Sequence, residues 1–128
     1  MNLGDRTAAL KAILDALPGA VAEPMTAARG STPLVLLYKI MGKMFAILSV
    51  RAEEYVILKC DPYRAEMLRA DYAGIGHRSH LDPRFWISVD LAADVPFDEI
   101  GALAAASYEL VCAGLTRKQK AEIAALTA

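Results

Sequence analysis

The sequence predicts an α+β domain in which an antiparallel sheet carries helices packed on one face. Three strand-like runs at 34–40, 43–50 and 54–60 follow one another through short connections, which are typical of antiparallel neighbours. Segments with helical spacing of apolar residues flank these runs, and a fourth strand-like run at 85–91 lies between two such segments. The order α-β-β-β-α-β-α-α predicts a sheet with one covered face and one partly open face.

Length and composition limit the class of protein. A chain of 128 residues is expected to form a single domain over 1–128, and a charged fraction of 23% with 55% apolar residues excludes a disordered chain. The net charge of −1 argues against a strong, nonspecific nucleic-acid binder. Cys60 and Cys112 lie far apart without C-x-x-C spacing, which is typical of a reducing compartment. No signal peptide is evident, and no apolar run approaches the length of a membrane span. We therefore expect a cytoplasmic protein with no membrane association.

The first half of the chain predicts one helix and three strands. A helix over 5–17 ends at Pro18-Gly19, and the apolar residues that recur at helical spacing in it are Ala9, Leu10, Ile13, Leu14 and Leu17. Residues 18–33 contain three prolines and two glycines and predict a loop. Met41-Gly42 predicts the turn between the first two strands, and residues 52–54 predict the next turn.

The second half predicts three helices and one strand. Asp61 as N-cap and Pro62 at the first helical position begin a helix that ends near Asp71, and a loop follows from 73 to 84. In the strand at 85–91, Trp86, Ser88 and Asp90 share one face, and Ile87, Val89 and Leu91 share the other. A long helix runs from Pro96 to about Ala113, with the predicted stripe Ile100, Leu103, Ala104, Ser107, Leu110 and Val111. Thr116 and Gln119 form a capping box for a last helix, whose beginning carries Arg117, Lys118 and Lys120.

The basic residues concentrate on the predicted hairpins. Residues 29–84 hold nine Lys and Arg against six Asp and Glu, whereas residues 85–115 hold five acids and no bases. The lysines on either side of the Met41-Gly42 turn are typical of a wing that contacts an anionic partner. The alternative is that cations on exposed strands only prevent edge-to-edge association.

Residues with catalytic or metal-binding chemistry form no recognisable site. His77, His80 and Asp82 include metal-ligand types, but they lie in a loop and fit surface residues better. Asp90 and Asp94 fit turn chemistry, and no serine has a nucleophile-elbow context. We therefore expect a non-enzymatic protein with no metal and no cofactor. Trp86, the single tryptophan, is either an exposed stacking surface or an anchor of the sheet to the long helix.

The chain resembles the MmcQ/YjbR family of small bacterial proteins over roughly residues 5–118. Five segments carry the resemblance in order and spacing: LPG at 17–19, KIMGKMFA at 39–46, LKCDP at 58–62, WISVDL at 86–91 and SYELV at 107–111. The resemblance implies a CyaY-like sandwich and a DNA-binding role, by likeness to double-wing DNA-binding domains. It places wing cations at Lys39, Lys43 and Lys59, with Trp86 beside them. The family usually has a histidine before the tryptophan, where this chain has Phe85, so any role of that histidine is absent here.

Two functions remain open at this point. The first is a DNA-binding domain that contacts phosphates weakly, and its predicted binding residues are Lys39, Lys43, Arg51, Lys59, Arg78, Arg84 and Trp86. The second is a module that binds a protein partner or a small ligand on the open sheet face around Trp86.

Overall fold

In the part of the chain that the structure describes, the fold is a six-stranded antiparallel sheet with four helices. The computed structural model describes residues 4–26, 34–51 and 53–127. The strands are β1 (Ala20–Met25), β2 (Val35–Ile40), β3 (Lys43–Ser49), β4 (Tyr55–Lys59), β5 (Ile75–Gly76) and β6 (Trp86–Asp90), and the helices are α1 (Asp5–Ala16), α2 (Pro62–Asp71), α3 (Phe97–Ala113) and α4 (Arg117–Leu126). The sheet order is β1-β2-β3-β4-β6-β5, and every neighbouring pair is antiparallel. The predicted α+β class is confirmed.

The core lies between the sheet and its helices. Because side chains alternate across a strand, one face of the sheet presents Leu48, Leu58 and Ile87, all fully buried. α3 contacts β2, β3 and β4 on this face, and α1 contacts α3, β1 and β3. Leu10 and Leu14 of α1 belong to the same core cluster. The predicted packing of helices on one face is therefore confirmed.

The β2–β3 hairpin combines a tight turn with a bulge. Met41 and Gly42 both have positive φ, 49° and 79°, as a two-residue type I′ connection requires. Tyr38 pairs with Ala46 but Lys39 pairs with Met44, which leaves Phe45 as the extra residue. The ring of Phe45 is buried against Tyr38 and packs edge-on against a tyrosine of α3. The bulge thus fixes the hairpin against α3.

The predicted helix starts are confirmed. The Asp61 side chain accepts hydrogen bonds from the backbone N–H groups of Tyr63 and Arg64, at 3.0 and 3.1 Å. Thr116 and Gln119 form a reciprocal capping box at the start of α4. Both caps join adjacent residues, which explains why the local sequence was sufficient to predict them.

Three predictions are wrong in part. The predicted loop over 18–33 contains β1, whereas residues 27–33 of that stretch lie outside the described part of the chain. The predicted loop over 73–84 contains the two-residue strand β5, which pairs with β6. In α3, the predicted buried stripe included Leu110 and did not include Tyr108. In the structure Leu110 is 41% exposed and Tyr108 is buried.

Within the three described stretches, no helix is both long enough and apolar enough to cross a bilayer. Cys60 and Cys112 are both free thiols.

Candidate binding surface

The structure places five of the seven predicted binding residues at one end of the sheet. β2 ends and β3 begins at the Met41-Gly42 turn, and the pairing of Lys39 with Met44 puts Lys39 and Lys43 at this end. β4 ends and β6 begins at this same end, because Lys59 is the cross-strand partner of Trp86. Arg84 also lies here, two positions before the first residue of β6.

The other two predicted residues lie at the opposite end. Arg51 follows the last residues of β3, and Arg78 forms an ion pair with Glu53, which precedes β4. The Arg78 guanidinium also lies 4.1 Å from the ring centroid of Tyr55. Because these groups are separated from the others by the length of the strands, the structure does not bring all seven predicted residues to one surface.

Three of the predicted cations are paired with carboxylates. The Lys39 ammonium lies 2.9 Å from a Glu23 carboxylate oxygen on β1, and Arg78 is paired with Glu53. Arg84 binds Asp82 at 2.7 Å, and its hydrogen bonds lower the pKa of Asp82 to about 2. A paired cation has less net charge to offer a phosphate, since the carboxylate repels the incoming anion.

Lys43 and Lys59 have different surroundings. The Lys43 ammonium donates to the carbonyl oxygen of Gly114 at 3.2 Å, just beyond the end of α3. The last turn of α3 contains no basic residue, so Lys43 supplies the positive charge that the helix dipole favours there. Within the described residues, the Lys59 ammonium forms no hydrogen bond or ion pair, although the Lys59 backbone N–H donates to Ser107.

Trp86 lies on the sheet face opposite the helices and is half-buried. Its neighbours Ile87 and Val89 belong to the core cluster, and the alternation of β6 puts Trp86 on the other face with Ser88. Arg69 of α2 donates to the carbonyl oxygen of Trp86 at 2.7 Å and to that of Pro83 at 2.6 Å. These bonds hold the backbone at the start of β6, and the Trp86 side chain keeps a partly exposed surface.

The uncovered sheet face is largely apolar. Val21 and Met25 of the edge strand β1 are 57% and 50% exposed. Leu37 and Ile47, which are cross-strand partners on the central strands, are partly buried on the same face. This face therefore presents a stretch of apolar surface that the helices do not cover.

A cleft of about 280 Å³ lies on the helix side, beside the end of β4. Its walls include Lys59, Cys60, Arg64, Leu103, Glu109 and Leu110. The exposed side of Leu110 thus forms part of a cleft wall. Burial raises the pKa of the Cys60 thiol, so Cys60 is a poor nucleophile at neutral pH.

The remaining polar candidates organise loops. The His77 ring nitrogen Nε2 lies 2.6 Å from the carbonyl oxygen of Leu81. Asp94 accepts hydrogen bonds from the N–H groups of Ala73 and Gly74, at 2.9 and 2.8 Å. Among the residues that the structure describes, no three His, Cys, Asp or Glu side chains cluster as a metal site would require. The hydrogen bonds of His77 and Asp94 stabilise the turns in which these residues lie.

The comparisons with known proteins agree with this architecture. A family model described as YjbR matches residues 15–110 of the chain. Protein DR2400 of Deinococcus radiodurans, with family-model domain DUF419, is 27% identical, with a TM-score of 0.76 over 90% of this chain and 85% of that one. A structural-genomics target from Pseudomonas syringae is 22% identical, with a TM-score of 0.57 over 70% of this chain and 86% of that one, and shows a likeness of fold alone. No functionally curated protein matches the chain.

Proposed function

The chain belongs to the YjbR family, and on that premise we propose that it is a non-enzymatic domain that binds DNA weakly through phosphate contacts. The observation that carries this proposal is the cross-strand pair of Lys59 and Trp86. The Lys59 ammonium has no ion-pair partner among the described residues, and together with the half-buried indole it combines charge for the phosphate backbone with a surface on which a base can stack. The free state of both cysteines supports a reducing, cytoplasmic location.

The pairing of three of the predicted binding cations limits the affinity of this proposed surface. Lys39, Arg78 and Arg84 already have carboxylate partners, so fewer cations are available to replace the counterions of DNA. Phosphate contacts position a protein on DNA without specifying a sequence. The expected behaviour is therefore weak, salt-sensitive and largely sequence-independent binding.

Fluorescence anisotropy with labelled duplex and single-stranded DNA at two salt concentrations tests the proposal. Lys59→Glu should weaken binding to both DNAs, and reversal of Lys39 and Lys43 together should weaken it similarly on all sequences. Lys11→Glu is a matched control, because it makes the same charge change on α1, where Lys11 pairs with Asp15. Absence of wild-type binding at 50 mM salt would show that the DNA-binding proposal is wrong.

The uncovered sheet face favours a second candidate function, the binding of a protein partner. Val21 and Met25 are exposed on an edge strand, to which an extended peptide segment can add by backbone pairing. Capture of one defined partner that is insensitive to salt, and is lost in a Val21→Ser/Met25→Ser double variant, would support this candidate. Equal capture by the double variant would argue against it.

A further inference from the structure

The structure brings together two groups of cations that are far apart in sequence. Lys43, at the start of β3, donates to the carbonyl oxygen of Gly114 at 3.2 Å. Lys59 ends β4 at this same end of the sheet, and its side chain lies with Trp86 on the face opposite the helices. The first turn and a half of α4 then adds three more cations within six residues of Gly114. We call this set the basic corner: Lys43, Lys59, Arg117, Lys118 and Lys120.

The cations of the basic corner are not neutralised by ion pairs. Among the described residues, no carboxylate lies within ion-pair distance of any of the five, in contrast to Lys39 and Arg84. The three cations of α4 are exposed. The nearby acids are Asp61 and Glu109 in the cleft of Lys59 and Glu122 on α4, and the Asp61 carboxylate already caps α2. The corner therefore retains a positive excess.

The cations on α4 do not contribute to the stability of that helix. Positive side chains in a first turn face the positive end of the helix dipole, which costs a few tenths of a kcal/mol each. The capping box already satisfies the first N–H groups, and no residue of α4 is fully buried. Neither the helix dipole nor packing accounts for Arg117 and Lys118, and both side chains are exposed to solvent, where an external anion can reach them.

We propose that the basic corner, rather than the paired cations Lys39, Arg78 and Arg84, is the surface that contacts the phosphates of duplex DNA. This inference rests on the proposed function and names the surface that would perform it. The supporting observation is charge complementarity, because five cations without an ion pair among the described residues lie at one end of the fold, whereas the predicted binding residues Lys39, Arg78 and Arg84 are paired with acids. The matched family segment ends at residue 110, so the α4 cations lie beyond it.

Two double variants with the same charge change separate the corner from the wings. The corner variant, Arg117→Gln/Lys118→Gln, removes two cations of the basic corner. The second variant, Lys39→Gln/Arg84→Gln, removes two cations that are paired with carboxylates and is called the wing variant. Positive charge in the first turn of a helix is unfavourable, so its removal should not destabilise α4. The corner variant is therefore expected to retain its fold and its far-ultraviolet circular dichroism. The measurement is fluorescence anisotropy of the full chain with a labelled 20-base-pair duplex at 50 and 200 mM salt.

The loss of two phosphate contacts has a calculable effect on salt dependence. Each contact contributes about −0.9 to the slope of log affinity against log salt, so two contacts contribute about −1.8. Over a fourfold change in salt, the ratio of the affinities at the two concentrations should therefore be about 12-fold smaller for the corner variant than for the wild type. The wing variant should reduce this ratio less than the corner variant does, because its two cations are already paired with carboxylates and make weaker contacts to phosphates.

The possible outcomes separate this inference from the proposed function. If only the corner variant shows weaker binding and a smaller ratio of affinities at the two salt concentrations, the result supports both the inference and the proposed function. Wild-type binding that weakens in the wing variant and not in the corner variant overturns the inference and leaves DNA binding intact. No wild-type binding at 50 mM salt overturns the proposed function, and the inference with it.

Discussion

The Ser107→Ala variant tests the account of how the hairpin is held against α3. Ser107 is fully buried, and its hydroxyl donates to the carbonyl oxygen of Phe45 at 2.6 Å and accepts from the backbone N–H of Lys59 at 2.8 Å. Phe45 is the bulge residue of β3, so the regular ladder between β3 and β4 stops at Ala46 and Leu58. The serine hydroxyl therefore satisfies two backbone groups where the strands no longer pair.

The expected cost follows from the groups that lose their partner. A buried backbone group without a hydrogen bond costs about 1–3 kcal/mol, and the Lys59 N–H lies close enough to the surface for water to compensate part of its loss. We expect Ser107→Ala to lower the free energy of unfolding by about 2–3 kcal/mol. With a urea m-value of about 1–3 kcal/mol/M, the midpoint should fall by roughly 0.7–3 M. The fluorescence of the single tryptophan, Trp86, reports the transition.

Ser88→Ala provides the matched control. Ser88 is also buried in the sheet, at 4% exposure, but among the described residues its hydroxyl forms no hydrogen bond. Its replacement should cost less than about 1 kcal/mol, since no backbone group loses a partner. If Ser107→Ala costs no more than Ser88→Ala, the bridging role of Ser107 is refuted.

Three further variants test other parts of the fold. Gly42→Ala should lower the free energy of unfolding by about 1 kcal/mol, because φ is 79° and no described atom lies within 4 Å of the added Cβ to offset the strain by packing. Asparagine tolerates this φ, so Gly42→Asn should cost less in the same urea titration. Burial and the hydrogen bond to Asp15 raise the pKa of Tyr38, so its stabilising contribution is present below about pH 10 and is lost at higher pH. The wild type should therefore lose more stability between pH 9 and 11 than Tyr38→Phe, whereas Tyr63→Phe, at a 79% exposed position, should behave as the wild type. Thr7→Val should raise the free energy of unfolding by up to about 1 kcal/mol, because the buried Thr7 hydroxyl has no hydrogen-bond partner among the described residues; an unchanged or lower urea midpoint would contradict this.

Elements that depend on local interactions could be predicted from the sequence. The hydrogen bonds of the Asp61 cap and of the Thr116–Gln119 capping box join residues two or three positions apart. The starts of these helices can therefore be predicted from a few neighbouring residues. The β-branched and aromatic composition of β2, β3 and β4, and the Met41-Gly42 turn between the first two, indicated the hairpins.

Elements that depend on a distant partner could not be predicted in this way. β1 has the sequence AVAEPM, with small residues and Pro24, and it is a strand because it pairs with β2 at the sheet edge, where a proline is tolerated. β5 is too short to leave a pattern, and it exists through its pairing with β6. Leu110 and Tyr108 both fit the helical stripe of α3, and only the neighbouring elements decide which of them is buried.

The candidate binding surface shows the same division. The sequence supplied the cations, the single tryptophan and the excess of basic residues over 29–84, since these depend only on which residues are present. It could not show that Glu23, Glu53 and Asp82 pair with the predicted wing cations. Nor could it show that Lys43 reaches the end of α3, beside the cations of α4.

The sequence by itself determined the fold class, the helix caps and the hairpin turn of this protein, because hydrophobic periodicity, capping and turn chemistry act over a few residues. The tertiary structure decided which charges are paired and which are available to a partner. Electrostatic interactions depend on distance in space, and β-pairing with α3 packing brings together residues that are more than 70 positions apart, such as Lys43 and Gly114.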